Sequence, residues 1–353
     1  MQILLANPRG FCAGVYMAVD VVDQLLQLLP GEPLYVFHEI VHNRHVVGRF
    51  VDRGVSFVER VEDVPEGSII VFSAHGVSPA VRHAARERGL RAVDASCPLV
   101  LKVHAEAIRY ARKGFQILLI GHRNHQEVIG TSGEAPDSIQ VVESPADIPG
   151  LRIHDPDKLV YLTQTTLSLD DAEVCIAALR RAFPSIQSPP ASDICYATTN
   201  RQQTVRALAP RCDLVIVVGS ANSSNSVRLT EIARSAGTPA RLVDDSGGMD
   251  PSWFDGVARV LLTAGASAPE DLVLGILQRL IDDHGGAIEQ HDVYREDIEF
   301  GLPASLKGLM RERGVDPDSR RIRRLDSDDS IAAWAAERSV QFSTVDLTVG
   351  GTR

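Results

Sequence analysis

The stretch Met1-Gln2-Ile3-Leu4-Leu5-Ala6-Asn7-Pro8-Arg9-Gly10-Phe11-Cys12-Ala13-Gly14 decides how the chain reads. An apolar strand from Ile3 to Ala6 runs into a Pro-Arg-Gly turn. Gly14 then opens a helix. Its apolar residues Val15, Ala18, Val19, Val22, Leu25, Leu26 and Leu29 share one face, and Pro30-Gly31 stops it. The spacing sets Cys12 at a helix mouth, where backbone N–H groups and the macrodipole favour a thiolate. A lone cysteine of this kind is more often a small buried hydrophobe.

The pattern recurs twice. Ala92 to Ser96 leads to Cys97 and Pro98, with proline at the first helical position, and the next helix carries Leu99, Val100, Val103, Ala107, Ile108 and Ala111. Asp193-Ile194-Cys195 leads into a third helical segment through Val205 and Leu208. Three cysteines at three helix entries predict three copies of one site element.

The six polar loops confirm the period. From cysteine to the first loop the spacings are 30 (Cys12 to His42), 28 (Cys97 to His125) and 28 (Cys195 to Ser223). To the second loop they are 63 (His75), 68 (Thr165) and 72 (Ser267). Each loop follows a strand-length apolar run, so each unit alternates strand and helix. This predicts an α/β protein of three pseudo-repeated small parallel-sheet domains, over 1–97, 98–194 and 195–302. In such sheets ligands sit beyond the carboxyl ends of the strands, where all six loops fall. If the units pack about an axis, cysteines and loops converge on one cavity.

From Pro303 the character changes. Residues 303–353 carry a basic run from Arg320 to Arg324, acidic Asp326, Asp328 and Asp329, and one short amphipathic helix between Ser330 and Arg338. They are expected to form a C-terminal tail, partly disordered and outside the core, with the basic run a solvated face.

A chain of 353 residues is long enough for two or three domains with sizeable cores. A formal net charge of −10 excludes a nucleic-acid backbone as main partner. Apolar runs such as Leu214 to Val218 are too short to span a bilayer, and no basic leader precedes the Cys12 motif. The expected location is the cytoplasm, where five cysteines are reduced, metal-bound or reactive rather than paired.

Three thiolates hold a metal but leave a tetrahedral shell one ligand short, which fits an open zinc site or a 4Fe-4S cluster with one open iron. The all-thiolate set favours the cluster, because catalytic zinc sites more often include histidine. Cys175 and Cys212 read as structural. The loops are rich in His, Ser, Thr and Asn and almost without Lys, so they suit an anion bound through neutral donors. His42, His75 and His125 stand in such loops and read as ligand-binding. Glu127 reads as a proton donor.

The motifs NPRGFCAGV, VHNR, FSAHGVS, ASCPLVLKVH, GHRNHQEV, TQTTLS, ICYATTNRQ, SSNS and TAGASAP closely resemble those of LytB-type 4-hydroxy-3-methylbut-2-enyl diphosphate reductases, in order, over residues 1 to about 302. The resemblance implies a trefoil of three α/β lobes around a central 4Fe-4S cluster, one per chain. It also implies reductive removal of a hydroxyl to give isopentenyl and dimethylallyl diphosphates, the last step of the methylerythritol phosphate route. By motif, Cys12, Cys97 and Cys195 are implied as cluster ligands. His42, His75, His125, Ser223, Ser224, Asn225 and Ser267 are implied as the diphosphate cradle, and Glu127, relayed through Thr165, as the proton source. The implied partners are a small diphosphate substrate and an electron donor such as flavodoxin or ferredoxin, with no nucleic acid and no membrane. Two departures stand out: Tyr16-Met17 replaces a common Asp-Arg pair, and Gln126 replaces the usual proline before Glu127. An iron–sulfur hydro-lyase (dehydratase) and a non-enzymatic iron–sulfur sensor remain open on the residues alone.

Overall fold

The computed structural model describes residues 1–319 and 327–348. Three parallel sheets carry the chain, as the repeat predicts. The first has strands β2 (Leu34–Phe37), β3 (Val55–Val58), β4 (Ile69–Phe72) and β5 (Arg91–Asp94), in the order β3-β2-β4-β5. The second has β6 (Gln116–Ile120), β7 (Ile139–Val142) and β8 (Leu159–Thr163), in the order β7-β6-β8. The third has β9 (Leu214–Val218), β10 (Ala240–Val243), β11 (Arg259–Ala264), β12 (Ala287–Asp292) and β13 (Gln341–Asp346).

The opening strand β1 (Gln2–Asn7) departs from the expected boundaries. It belongs to the third sheet, ordered β10-β9-β11-β1-β12-β13, with Ile3 paired to Val260 on one side and Ile288 on the other. The helix after it, α1 (Ala13–Leu28), packs instead on the first sheet, where Val21, Val22 and Leu25 are fully buried against Val36 and Val71. The residues before Cys12 thus complete the third unit and those after it begin the first. The ring of units is closed by the two ends of one chain.

Each unit lays helices on its sheet. In the first, α2 (Arg44–Val51) and α3 (Pro79–Glu87) follow β2 and β4. In the second, α4 (Pro98–Arg112), α5 (Gln126–Glu134) and α6 (Leu169–Ala182) surround β6 to β8. In the third, α7 (Tyr196–Leu208), α8 (Ser224–Ser235) and α9 (Glu270–His284) do the same. The strands are nearly continuous apolar runs because both faces are covered; every residue of β9 is buried.

The C-terminal residues correct a second expectation. Helix α10 (Ala304–Glu312) buries Leu306, Leu309 and Met310 in the core shared by α1 and the first sheet. Helix α11 (Ser327–Glu337) buries Ile331 and Ala335 against the third unit, and β13 pairs along β12 from Ala287↔Gln341 to Asp292↔Asp346. The described part of 303–348 is therefore packed structure. Its high charge hid two apolar stripes of three residues or fewer. The run Arg320 to Arg324 and Asp326 lie outside the described residues, as do the side chains of Asp328 and Asp329.

Candidate functional site

Cys12, Cys97 and Cys195 are the N-cap residues of α1, α4 and α7. Each is tied by its backbone to the second polar loop of the unit before it. Cys97 N–H donates to Ala74 O at 3.0 Å, Cys195 N–H to Thr165 O at 3.0 Å, and Cys12 N–H to Ala266 O at 3.2 Å. The three bonds close a ring, and they bring the three thiols to one cavity. Gly14 has no alternative here: a Cβ would stand 2.6 Å from the Cys97 sulfur and 3.9 Å from the Cys12 sulfur.

Burial raises all three thiols above the ordinary range, Cys195 to about 11; the Cys12 charge raises Cys97 and Cys195 further, and the Cys195 charge raises Cys97. Backbone N–H groups of the first helical turns work the other way: Val15 and Gly14 on Cys12, Leu99 and Val100 on Cys97, and Thr198 on Cys195. Among the described residues, no group of three or more His, Cys, Asp or Glu side chains is placed to hold a metal ion. The three cysteines border an open space instead. Cys175 is buried in the core of the second unit, and Cys212 packs partly into that of the third, both away from the cavity.

All six polar loops reach the same cavity, and every site residue expected from the sequence lines it: His42, His75, His125, Glu127, Thr165, Ser223, Ser224, Asn225 and Ser267 beside the three cysteines. The repeat register needs one adjustment. The N-caps of α2, α5 and α8 are Asn43, His125 and Ser223, so Asn43 is the equivalent of His125 and His42 lies one residue earlier. The ring of His42 stacks on His75 at 3.9 Å between centroids, and His125 meets both edge-on at 5.3 and 5.9 Å.

His75 and His125 are held neutral. Burial and the facing imidazoles hold His75 well below its ordinary value, and burial brings His125 to about 3. Nδ1 of His125 accepts the Glu127 N–H at 3.2 Å, which leaves the ring proton on Nε2. Asn225 is 3% exposed, and neither its amide nitrogen nor its carbonyl oxygen has a protein partner. Such a buried orphan in a cavity wall calls for a polar ligand. Ser223, Ser224 and Asn225 stand at the N-terminus of α8, where an anion is favoured.

Glu127 is 2% exposed and opens the first turn of α5. Its Oε1 accepts the Thr165 N–H at 2.5 Å and its Oε2 the Thr165 hydroxyl at 3.1 Å. Burial pushes its pKa up to about 7 against those two bonds. Glu39, the other carboxylic acid of the six loops, faces away: it accepts from Asn222 at 2.7 Å, pairs with His42 Nδ1 at 3.1 Å, and does not line the cavity. Gln126 is accommodated at the first position of α5. Tyr16 packs edge-on against Phe11 at 5.2 Å, and Met17 is buried.

Sequence reasoning missed Tyr196, Thr198 and Phe300, which also line the cavity. Tyr196 accepts the Ala13 N–H at 3.1 Å, joining the first and third cysteine segments. Thr198, three residues after an N-cap cysteine, was findable by capping position. Phe300 comes from the irregular segment after β12 and had no signal.

Fold and cavity define the class: a three-unit parallel α/β protein whose thiols, histidines, small polar side chains and buried acid share one chamber. The chain matches the family model of the LytB protein over residues 3–281. It is 54% identical over 312 residues to 4-hydroxy-3-methylbut-2-enyl diphosphate reductase of Rhodococcus jostii (strain RHA1), covering 87% of this chain and 91% of that protein. It is 52% identical over 307 residues to the same-named protein of Mycolicibacterium vanbaalenii, covering 87% and 91%. A solved structure, the E-1-hydroxy-2-methyl-but-2-enyl-4-diphosphate reductase from Plasmodium falciparum, superposes with a TM-score of 0.86 at 38% identity, covering 88% of this chain and 98% of that one. The chain belongs to the LytB family.

Proposed function

We propose that this chain reduces 4-hydroxy-3-methylbut-2-enyl diphosphate to isopentenyl and dimethylallyl diphosphates with a 4Fe-4S cluster held by Cys12, Cys97 and Cys195. The observation that carries the reading is the chamber itself: three helix-capping thiols, a carboxyl poised near neutrality and an orphaned Asn225 amide line one wall-to-wall space. The thiols fit the group. Three thiolates facing one cavity repel one another, so they need a cationic centre between them, and thiols bordering a space suit a multi-iron centre better than a point ion.

The chain's own residues divide the work. The diphosphate is anchored by Ser223, Ser224 and Asn225 at the α8 N-terminus, with Ser267, His42, His75 and His125 donating from the other loops. This leaves the hydroxymethyl end of the substrate toward the cysteines. A bound cluster would supply two electrons and a Lewis-acidic iron for the departing oxygen. Glu127, in its protonated form, passes a proton through the Thr165 hydroxyl to that oxygen, so that it leaves as water rather than hydroxide. The resulting allylic carbanion takes the second proton at either end, which gives two isomers. Electrons arrive from an external donor such as flavodoxin or ferredoxin. Among the described residues, no helix is long and apolar enough to cross a membrane.

The test is anaerobic turnover of the diphosphate substrate with and without a reduced dye. Isopentenyl and dimethylallyl diphosphates should form only with the dye. Turnover without reductant would make the protein a hydro-lyase, and no turnover in either arm would reject the reading.

A further inference from the structure

Among the described residues Arg201 is the largest fully buried side chain, 1% exposed, and nothing in the proposed reaction uses it. It lies on α7, six residues after Cys195. One nitrogen, Nη1, donates to Ala197 O and to Glu296 Oε1, both at 3.0 Å. The other, Nη2, crosses to the turn before Cys12 and donates to Gly10 O at 2.8 Å. Glu296 comes from the irregular segment after β12 and is also held by the Asn200 amide at 3.1 Å. Its side chain is 5% exposed. The same segment brings Phe300 to the cavity wall.

We propose that the Arg201–Glu296 pair is a positioning device that holds the Cys12 turn against the Cys195 helix and sets the charge felt by the metal centre between them. This rests on the cluster assignment above. A buried ion pair is costly to assemble and is weak ground for stability by itself. Here its geometry points elsewhere: the guanidinium fork spans two of the three cysteine segments, and its positive charge acts on Cys12 while the carboxylate opposes it. Both side chains are buried behind the residues that line the cavity, and a dry surrounding makes each charge felt over several ångströms. Reduction adds negative charge to an iron–sulfur centre, so a nearby cation raises its potential and a nearby anion lowers it.

The pair therefore makes an opposed prediction that a merely structural contact does not. In anaerobically reconstituted protein, Glu296→Gln leaves Arg201 uncompensated and should raise the midpoint potential in a spectroelectrochemical titration. Arg201→Gln leaves Glu296 uncompensated and should lower it. Arg201→Lys keeps the charge but not the fork. It should stay near the parent potential while losing iron faster on exposure to chelator. Shifts of the same sign in the two Gln variants, or no shift in either, would overturn the inference. If Arg201→Gln fails to fold or load iron, Glu296→Gln decides alone, and an unchanged or lowered potential sinks the idea. Iron content of the parent separates the two readings: a parent without iron rejects the cluster assignment, whereas a loaded parent with unsplit variants rejects only the role of the pair.

Discussion

Thr165 engages both oxygens of Glu127, its N–H bonding Oε1 at 2.5 Å and its hydroxyl bonding Oε2 at 3.1 Å, while its own carbonyl accepts from Cys195 N–H at 3.0 Å. One residue thus connects the acid to the third cysteine. Both residues line the cavity, and the Thr165 hydroxyl gives the acid a relay into it.

Replacing Glu127 by Gln keeps the shape and removes the acid. Turnover should fall by about 10²–10⁴, the worth of a general acid, with diphosphate binding retained. Thr165→Val should be milder, because a water replaces the hydroxyl. Steady-state kinetics decide it, and a Glu127→Gln rate within about threefold of the parent removes Glu127 from the mechanism.

Glu127 also sets a pH dependence. The proposed proton donor is the acid form, which titrates at about 7, so the parent's kcat should decline as pH rises through neutrality. Folding stability follows the same sign. The folded value of about 7 lies above the ordinary 4.5, so the stabilisation is complete below 4.5 and lost as pH rises through about 7. The loss amounts to about 3 kcal/mol. Urea denaturation of the metal-free protein across that range should show it, and Glu127→Gln should flatten it.

Iron separates the cysteines. Protein purified without oxygen should hold about four irons per chain. Cys12→Ser, Cys97→Ser and Cys195→Ser should each lose iron, whereas Cys175→Ser and Cys212→Ser should not. Equal loss across all five, or zinc in the parent, would contradict the assignment.

Asn225 and His125 should part company. Asn225 bonds no protein group, so Asn225→Ala should weaken pyrophosphate binding by about 1–3 kcal/mol and leave Tm unchanged. His125 caps α5 as well as facing the cavity, so His125→Ala should weaken binding and also cost about 1 kcal/mol of stability. Calorimetric titration with pyrophosphate and thermal melts check both. Unchanged affinity in both variants would place the anion elsewhere.

The C-terminal residues supply a stability test. Ending the chain at residue 303 removes the burial of Leu306, Leu309 and Met310, each worth about 1.5–3 kcal/mol, and should lower Tm sharply. Ending it at 316 keeps α10 but uncovers the edge of β12, with a smaller fall. Both chains that fold should still bind iron, because no described residue after Phe300 lines the cavity. A chain ending at 303 that melts with the parent would show that α10 contributes nothing.

Much of the site was legible because its signals are local. A cysteine before a proline or an apolar helix face marks an N-cap, and the cap places the thiol whatever the rest of the fold does. Polar loops after apolar runs mark the carboxyl ends of parallel strands, so counting from each cysteine found all six loops. Short strands such as β3, β7 and β10, of four residues each, gave no period long enough to read.

What the sequence by itself determined was therefore the repeat, the three helix-capping thiols and the residues that meet in the cavity, since each rests on spacing within one segment. Tertiary structure alone decided which sheet β1 joins, that Glu39 turns toward Asn222, that Phe300 and Glu296 reach the cysteine helices, and that residues after 303 complete two cores. It alone decided the state of Glu127 as well. A carboxyl is displaced to about 7 by being dry, and dryness is a property of every unit packed around it rather than of the residues beside it in the chain.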